Sequence, residues 1–330
     1  MARIGISPTR KQTTTYRPAP VTVVVLVHIP RLEGYFTQRL SILKAVLQAI
    51  VQHTHYPHDL MVFDNGSCAE VGEYLQTLRE EGILDYLISS HHNIGQFNAI
   101  RMAFAAAPGK YIAYVEDDVL LYPGWLQAEM EVLEAFPEAG MVSGVPVRMA
   151  TQLPHSALDA WLASPPPDVA IRRGRFIPDA WEADWAESTG RDPHEHLQAT
   201  REWEDLIISR RGVEAAAAAS HFQFLSPKEV ALKALPQDWF PYLMGPLERY
   251  DEALDKMGYL RLSTVERYAR HLGNALTPEL MEDIQKMGIQ ISARPLRQRE
   301  KKHWLLRIPG SGRVLWPLYR YLFRVLHNVE

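Results

Sequence analysis

The sequence predicts an α/β fold: a doubly wound, mostly parallel sheet with a lid-like insertion and a C-terminal helical tail. Three observations lead there. Runs of β-branched and other apolar residues, too uniformly apolar for a half-exposed strand, recur through the first half of the chain. Segments with helical spacing separate them, an alternation that marks a parallel sheet covered on both faces. Polar side chains then collect just beyond the ends of the runs, which is where such a sheet binds its ligands.

In chain order, residues 1–18 are polar, rich in Thr, Arg and Pro, and read as a flexible arm. VTVVVLVHIP (residues 21–30) reads as a strand buried on both faces and stopped by Pro30. Residues 35–53 set Leu40, Leu43, Val46, Leu47 and Ile50 at helical spacing, and DLMVFDNGS is a second strand running into an Asp-Asn-Gly turn. A helix over 69–81, a short strand in ILDYLISS and a helix over 98–107 follow. KYIAYVEDD is a strand whose far end is loaded with carboxylates, and residues 140–148 supply another. Residues 164–200 hold PPP, Trp181, Trp185 and the polar run WEADWAESTGRDPHEH with little regular period, so this stretch reads as a lid or as a variable loop. SHFQFLSP returns to the sheet, residues 227–235 and 248–257 are helical, GYLRLS is a strand, and ERYARHLGN is a strand or extended segment containing His271.

The resulting division is an arm (1–18), a ligand-binding half (19–150), an insertion (151–212), a second half (213–293) and a basic aromatic tail (294–330).

Composition narrows the function. With 330 residues, 47% hydrophobic and 22% charged, the chain has an ample core and is neither disordered nor a membrane bundle. One cysteine, Cys68, excludes an internal disulfide, and no apolar run approaches the roughly 20 residues of a membrane span. Met1 to Pro20 has no secretory pattern, so a cytoplasmic protein is expected. The net charge of −4 hides an asymmetry: residues 294–330 carry nine Lys or Arg against two Glu, which is +7, and the rest carries −11. That acidic body is a poor nucleic-acid surface, whereas the tail suits anionic lipid or a second copy of the chain.

The chemistry concentrates at the predicted strand ends. Glu116, Asp117 and Asp118 form an acidic triplet in which strand alternation puts 116 and 118 on one face and 117 on the other. Such a set repels itself unless a cation offsets it, and its oxygens suit Mg2+ or Mn2+ with phosphate; a solvated turn is the plainer alternative. Asp64 sits where a carboxylate accepts hydrogen bonds from a nucleoside, or simply opens its Asn-Gly turn. Asn93 and Gly95 precede a helix whose free N–H groups suit phosphate. Neither GxGxxG nor GxxxxGK[ST] occurs, which argues against a dinucleotide dehydrogenase or a P-loop NTPase.

NIGQFNAIRMAFAAAPGKYIAYVEDDVLLYPGWL, with the first strand and DNGS, resembles the nucleotide-binding half of family 2 glycosyltransferases, which have the GT-A fold. The likeness covers residues 21–150 and is looser over 213–275. It implies a metal-dependent inverting glycosyltransferase that moves a sugar from a nucleoside-diphosphate sugar to a hydroxyl of a growing glycan or lipid-linked acceptor. By position, Asp64 would meet the base, Glu116 the ribose side and Asp118 the Mn2+ or Mg2+; Asn93 and Asp117 are counted with Asp64 and Glu116 among the residues that would bind the donor. Glu116 stands where the family usually has Asp, and Arg101 and Ala103 where Asn and Gly are usual.

For the catalytic base the resemblance points to the acidic helix of PLERYDEALDKMGYLRLS, where Asp251 ranks first and Glu248, one helical turn away, second. Glu204-Asp205 is the literal Glu-Asp pair but precedes SHFQFLSP, the wrong chain order. His271 would join Asp118 on the metal or cap a turn. His194 and His196 have no third ligand at zinc-like spacing.

Trp181 and Trp185 would stack on sugar or anchor the lid, and Arg172, Arg173 and Arg175 would meet acceptor phosphate or solvent. The tail's aromatic and basic residues fit an interfacial helix on the cytoplasmic membrane face, an oligomer contact, or packing on the body. Two other readings are a sugar-1-phosphate nucleotidyltransferase, for which HIPRLEGY lacks the glycine-rich triphosphate loop, and a non-catalytic GT-A scaffold or carbohydrate-binding protein.

Overall fold

The computed structural model describes residues 5, 7, 9–148, 155–217 and 219–291. The tail readings for 294–330 therefore lie outside the described residues. In chain order the elements are β1 (Val21–Val27), α1 (Arg39–His53), β2 (His58–Asn65), α2 (Ala69–Glu80), β3 (Tyr86–Ser90), α3 (Gln96–Ala106), β4 (Tyr111–Glu116), β5 (Val119–Leu121), α4 (Trp125–Ala135) and β6 (Ala139–Ser143). There follow α5 (Ser156–Ala163), β7 (Val169–Gly174), α6 (Asp179–Ser188), α7 (Pro193–Ala199), β8 (Asp205–Arg210), β9 (Val213–Ala217) and β10 (Gln223–Pro227). The last are α8 (Lys228–Ala234), α9 (Glu248–Lys256), β11 (Leu260–Thr264), β12 (Ala269–His271) and α10 (Pro278–Lys286).

Ten strands form one sheet in the order β3-β2-β1-β4-β10-β6-β11-β9-β8-β7. Seven of them run in one direction, with β10, β9 and β7 reversed, so the sheet is mostly parallel. Alternation in β1 sends Val21, Val23, Val25 and Val27 to the face covered by α1, among Ile42, Val46 and Ile50. Val24 and Leu26 face the other layer, with Phe97, Phe104 and Phe224. A strand whose two sides are both dry has no place for polar residues, hence the unbroken apolar run.

Residues 164–200, expected to be irregular, instead hold β7, α6 and α7, and β7 with β8 extends the main sheet at its far edge. The helical period of α6 is illegible because its fully buried positions are Glu182 and Ala186, one of them charged. Glu182 is tolerated there because its carboxylate accepts from the Arg148 backbone N–H and lies 2.8 Å from His196 Nε2. The edge strand β7 carries the exposed Arg172 and Arg173, which discourage pairing with another chain.

A second buried carboxylate, Glu129 of α4, has no exposure and takes a 2.9 Å hydrogen bond from Gln223 Nε2. Burial holds its carboxyl well above the usual carboxylate range. The folded state therefore keeps a proton that the unfolded chain releases at about pH 4.3, and stability is lost as pH rises above that value toward the folded pKa. Glu129→Gln is expected to remove this slope, so its melting temperature gains on the wild type as pH rises above about 4.3. Parallel melting profiles for the two proteins would contradict it.

Candidate active site

The carboxyl ends of β1, β2, β3 and β4 lie side by side, so His28, Asp64, Asn93 and Glu116 to Asp118 meet along one edge. Because β10 is antiparallel to β4, its beginning, at His221 and Phe222, arrives at the same edge. A two-stranded ribbon completes the site: β12 pairs with β5, His271 opposite Val119, which sets the imidazole beside Asp118.

The acidic triplet does not follow strand alternation throughout. β4 ends at Glu116, and the chain turns at Asp117 and Asp118, so both aspartates reach one partner, the guanidinium of Arg39 in the first turn of α1. The expected opposition of residues 117 and 118 is corrected accordingly: the two-residue period holds only while the backbone is extended. Glu116 accepts from Gln96 Nε2 at 3.1 Å.

His271 Nε2 lies 3.4 Å from Asp118 Oδ2, while its Nδ1 is 2.8 Å from Ser188 Oγ at the end of α6. α6 thus reaches the site through Ser188 and orients a histidine in it. Trp181 and Trp185 do share a helix face; Arg267 lies over the first ring at 5.3 Å and Arg191 over the second at 4.6 Å. Arg172 pairs with Glu214, and Arg175 with Asp179.

Electrostatics divides the triplet. Loss of hydration, reinforced by Asp118 and Asp117, pushes Glu116 well above the usual range. Burial pushes Asp117 up to about 6, with Arg39 opposing the rise. For Asp118 burial is also the largest influence, but His271 and Arg39 together outweigh it and hold the carboxyl below the ordinary range. Asp118 is thus the member held most firmly as an anion.

The residues fit a divalent cation. Glu116, Asp118 and His271 each offer an atom, all within 4.8 Å of one another. Asp118 Oδ1 is buried without a hydrogen-bond partner among the described residues, a ligand oxygen with its lone pairs uncommitted. Two carboxylates and an imidazole suit Mn2+ better than Mg2+, which prefers oxygen alone.

The remaining predicted positions are engaged differently. Asp64 is buried, and its Oδ1 accepts from the Ser67 amide at 3.0 Å, closing its own turn. The side chain of Asn93 bonds to Asn65, to His28 Nε2 at 3.0 Å and to the Gly95 amide at 2.9 Å, locking three strand ends together. Glycine is required in two turns here. Gly66 has φ +75°, and a Cβ would meet the Asn93 nitrogen at 2.7 Å; Gly95 has φ +85°, and a Cβ would meet the Tyr242 carbonyl oxygen at 2.6 Å. Asp251 is buried on α9, and Glu248 is exposed at that helix's start. His194 is exposed, and His196 pairs with Glu182. Sequence reasoning missed Arg39, Ser188 and His221.

Residues 36–168 match the family described as Glycosyl transferase family 2. The expected resemblance, the GT-A type α/β fold and the enzyme class of glycosyltransferase agree with this match. No curated protein matches the chain. Among solved structures, a mannosyltransferase from Pyrobaculum calidifontis, in complex with GDP-Man and Mn2+, is 23% identical over 39% of this chain and 36% of that one, with a TM-score of 0.32. TarS 1–349 of S. aureus is 9% identical over 83% of this chain and 66% of that one, with a TM-score of 0.43. A second TarS structure gives 15%, 41% and 23%, with a TM-score of 0.30. The chain spans less than two thirds of each. Among the described residues, no helix is long and apolar enough to cross a membrane.

Proposed function

We propose that this chain, with a glycosyl transferase family 2 match over residues 36–168, transfers a sugar from a nucleoside-diphosphate donor to a hydroxyl acceptor with the help of a divalent cation. The observation that carries this reading is the group of Glu116, Asp118 and His271, gathered within 4.8 Å at the carboxyl edge of the sheet. Glu116, Asp118 and His271 would hold Mn2+, with Mg2+ the poorer fit. When bound, the cation supplies positive charge that stabilises the departing diphosphate.

The rest of the site acts through this chain's own groups. Arg39 keeps Asp117 and Asp118 gathered and adds a fixed positive charge beside the diphosphate. Ser188 holds His271 in orientation. Asp64 and Asn93 shape the turns against which the nucleoside would lie. Inversion at the sugar carbon is the outcome of a single displacement, and the acceptor is a glycan or lipid-linked hydroxyl. Attachment to an anionic membrane surface, or to a second copy, would rest on residues 294–330.

The test uses the full chain with a panel of uridine- and guanosine-diphosphate sugars, with Mn2+, with Mg2+ and with EDTA. The expected result is release of nucleoside diphosphate from at least one donor, fastest with Mn2+ and lost in EDTA. Equal rates in EDTA, or neither turnover nor binding of any donor, would overturn the reading.

A further inference from the structure

Asp251 does not open onto the edge where the acidic cluster sits. It has no exposure in the first turn of α9; its Oδ2 is 2.8 Å from His221 Nδ1, and its Oδ1 is 3.6 Å from an Arg261 guanidinium nitrogen. A carboxylate enclosed in this way has no direct contact with a hydroxyl arriving from outside. His221 differs: 16% of its side chain is exposed, and it stands at the strand ends, next to Phe222, whose carbonyl accepts from the Glu116 amide at 3.1 Å. The imidazole meets the Phe222 ring edge-on at 5.0 Å, and that ring stacks on His271 at 4.7 Å. One aromatic side chain therefore separates His221 from the group that would hold the cation.

We propose that His221 takes the proton from the acceptor hydroxyl and that Asp251 positions it; the inference rests on the glycosyl-transfer reading above. A buried carboxylate at Nδ1 selects the tautomer with its proton on Nδ1, which leaves the Nε2 lone pair free to act. Arg261 keeps the charge of Asp251 paired, and no described residue bonds to His221 Nε2.

As the acceptor oxygen bonds to the sugar's anomeric carbon, the bond from that carbon to the diphosphate oxygen breaks. Its electron pair leaves with the nucleoside diphosphate. The hydroxyl proton passes to Nε2, and the resulting imidazolium, stabilised by Asp251, returns the proton to water after the products leave. His221 is the catalytic residue and Asp251 a positioning residue. The charged groups facing the imidazole are Asp251 from α9 and, behind it, Arg261 from β11; His271 and Asp118 lie beyond Phe222.

Two measurements decide this. The first needs no substrate: long-range proton–nitrogen NMR of the full chain is expected to find the Nδ1–H tautomer of His221 and to lose it in Asp251→Asn. The Nε2–H tautomer in the wild type would overturn the proposal even if the donor screen succeeds. The second uses a donor found in that screen, with water as acceptor. His221→Gln is expected to lower kcat by roughly 10²- to 10⁴-fold and to abolish the acidic limb of the pH–rate profile, while Mn2+-linked nucleoside-diphosphate binding stays within about threefold. Turnover within about threefold of wild type would overturn the assignment of His221. Failure of every donor to bind or react falls on the function reading, and the tautomer still decides the dyad.

Discussion

Asp118→Asn is expected to reduce Mn2+-linked nucleoside-diphosphate binding by at least about 100-fold and turnover at least as much, while the protein remains folded. Changing a residue that merely supports a metal ligand costs about 10- to 100-fold, and removing the charge of a ligand itself costs no less. The fold should survive because Arg39 retains Asp117 as an ionic partner and because the Asp118 carbonyl still accepts from the Leu272 amide at 2.8 Å. Asn at this position still fills the site but supplies a neutral oxygen. Calorimetric titration of Mn2+ and nucleoside diphosphate, with circular dichroism as the folding control, checks it. Unchanged metal-linked binding would remove Asp118 from the site.

Arg148→Met is expected to cost about 3–5 kcal/mol of stability, the usual consequence of leaving a buried charge without its partner. Arg148 is fully buried, its Nε 3.0 Å from Asp205 Oδ1 and its Nη2 2.6 Å from the Ile177 carbonyl. Asp205 also accepts from the Phe176 and Ile177 amides at 2.7 and 2.8 Å, so the pair joins the segment that follows β6 to the start of β8 and the turn before α6. Adding Asp205→Asn removes the orphaned charge while keeping an acceptor for those amides, and the double variant should recover part of the loss. Urea unfolding of the single and double variants measures both. A single variant within about 1 kcal/mol of wild type would show that the network bears little weight.

The elements from β1 to β4 were legible because β1, β2 and β4 are dry on both faces and write unbroken apolar runs, while the helices between them present apolar stripes at helical spacing; β3, the half-exposed edge strand, left the weakest mark. The acidic cluster was legible for a related reason: carboxylates at the end of an apolar strand have few structural uses. Arg39 was not, since it reads as one more polar residue of an amphipathic helix and its partners are chosen only when the start of α1 comes up against the turn after β4. His221 escaped notice because SHFQFLSP reads as a strand approach, and nothing in it points to a carboxylate on a helix that follows a long loop. Ser188 carried no signal at all. The polar stretch around α6 misled for the opposite reason: its buried side is ionic, so burial left no hydrophobic period behind.

The ribbon of β5 and β12 has a consequence for how the molecule is assembled. It is what brings His271 against Asp118, and the two stand on opposite sides of the whole 156–264 stretch in the chain. Contacts this distant in sequence form late, after the entropy of closing a long loop has been overcome. A cation held by all three side chains would therefore bind the finished protein far better than any partly folded form. It would stabilise the folded state by RT ln(1 + its free concentration over its dissociation constant), so the melting temperature would climb with the logarithm of concentration once the site is saturated. A fragment ending at residue 148 would keep Glu116 and Asp118 but lack the imidazole. Metal affinity would thus double as a gauge of whether the two ends of the fold have met.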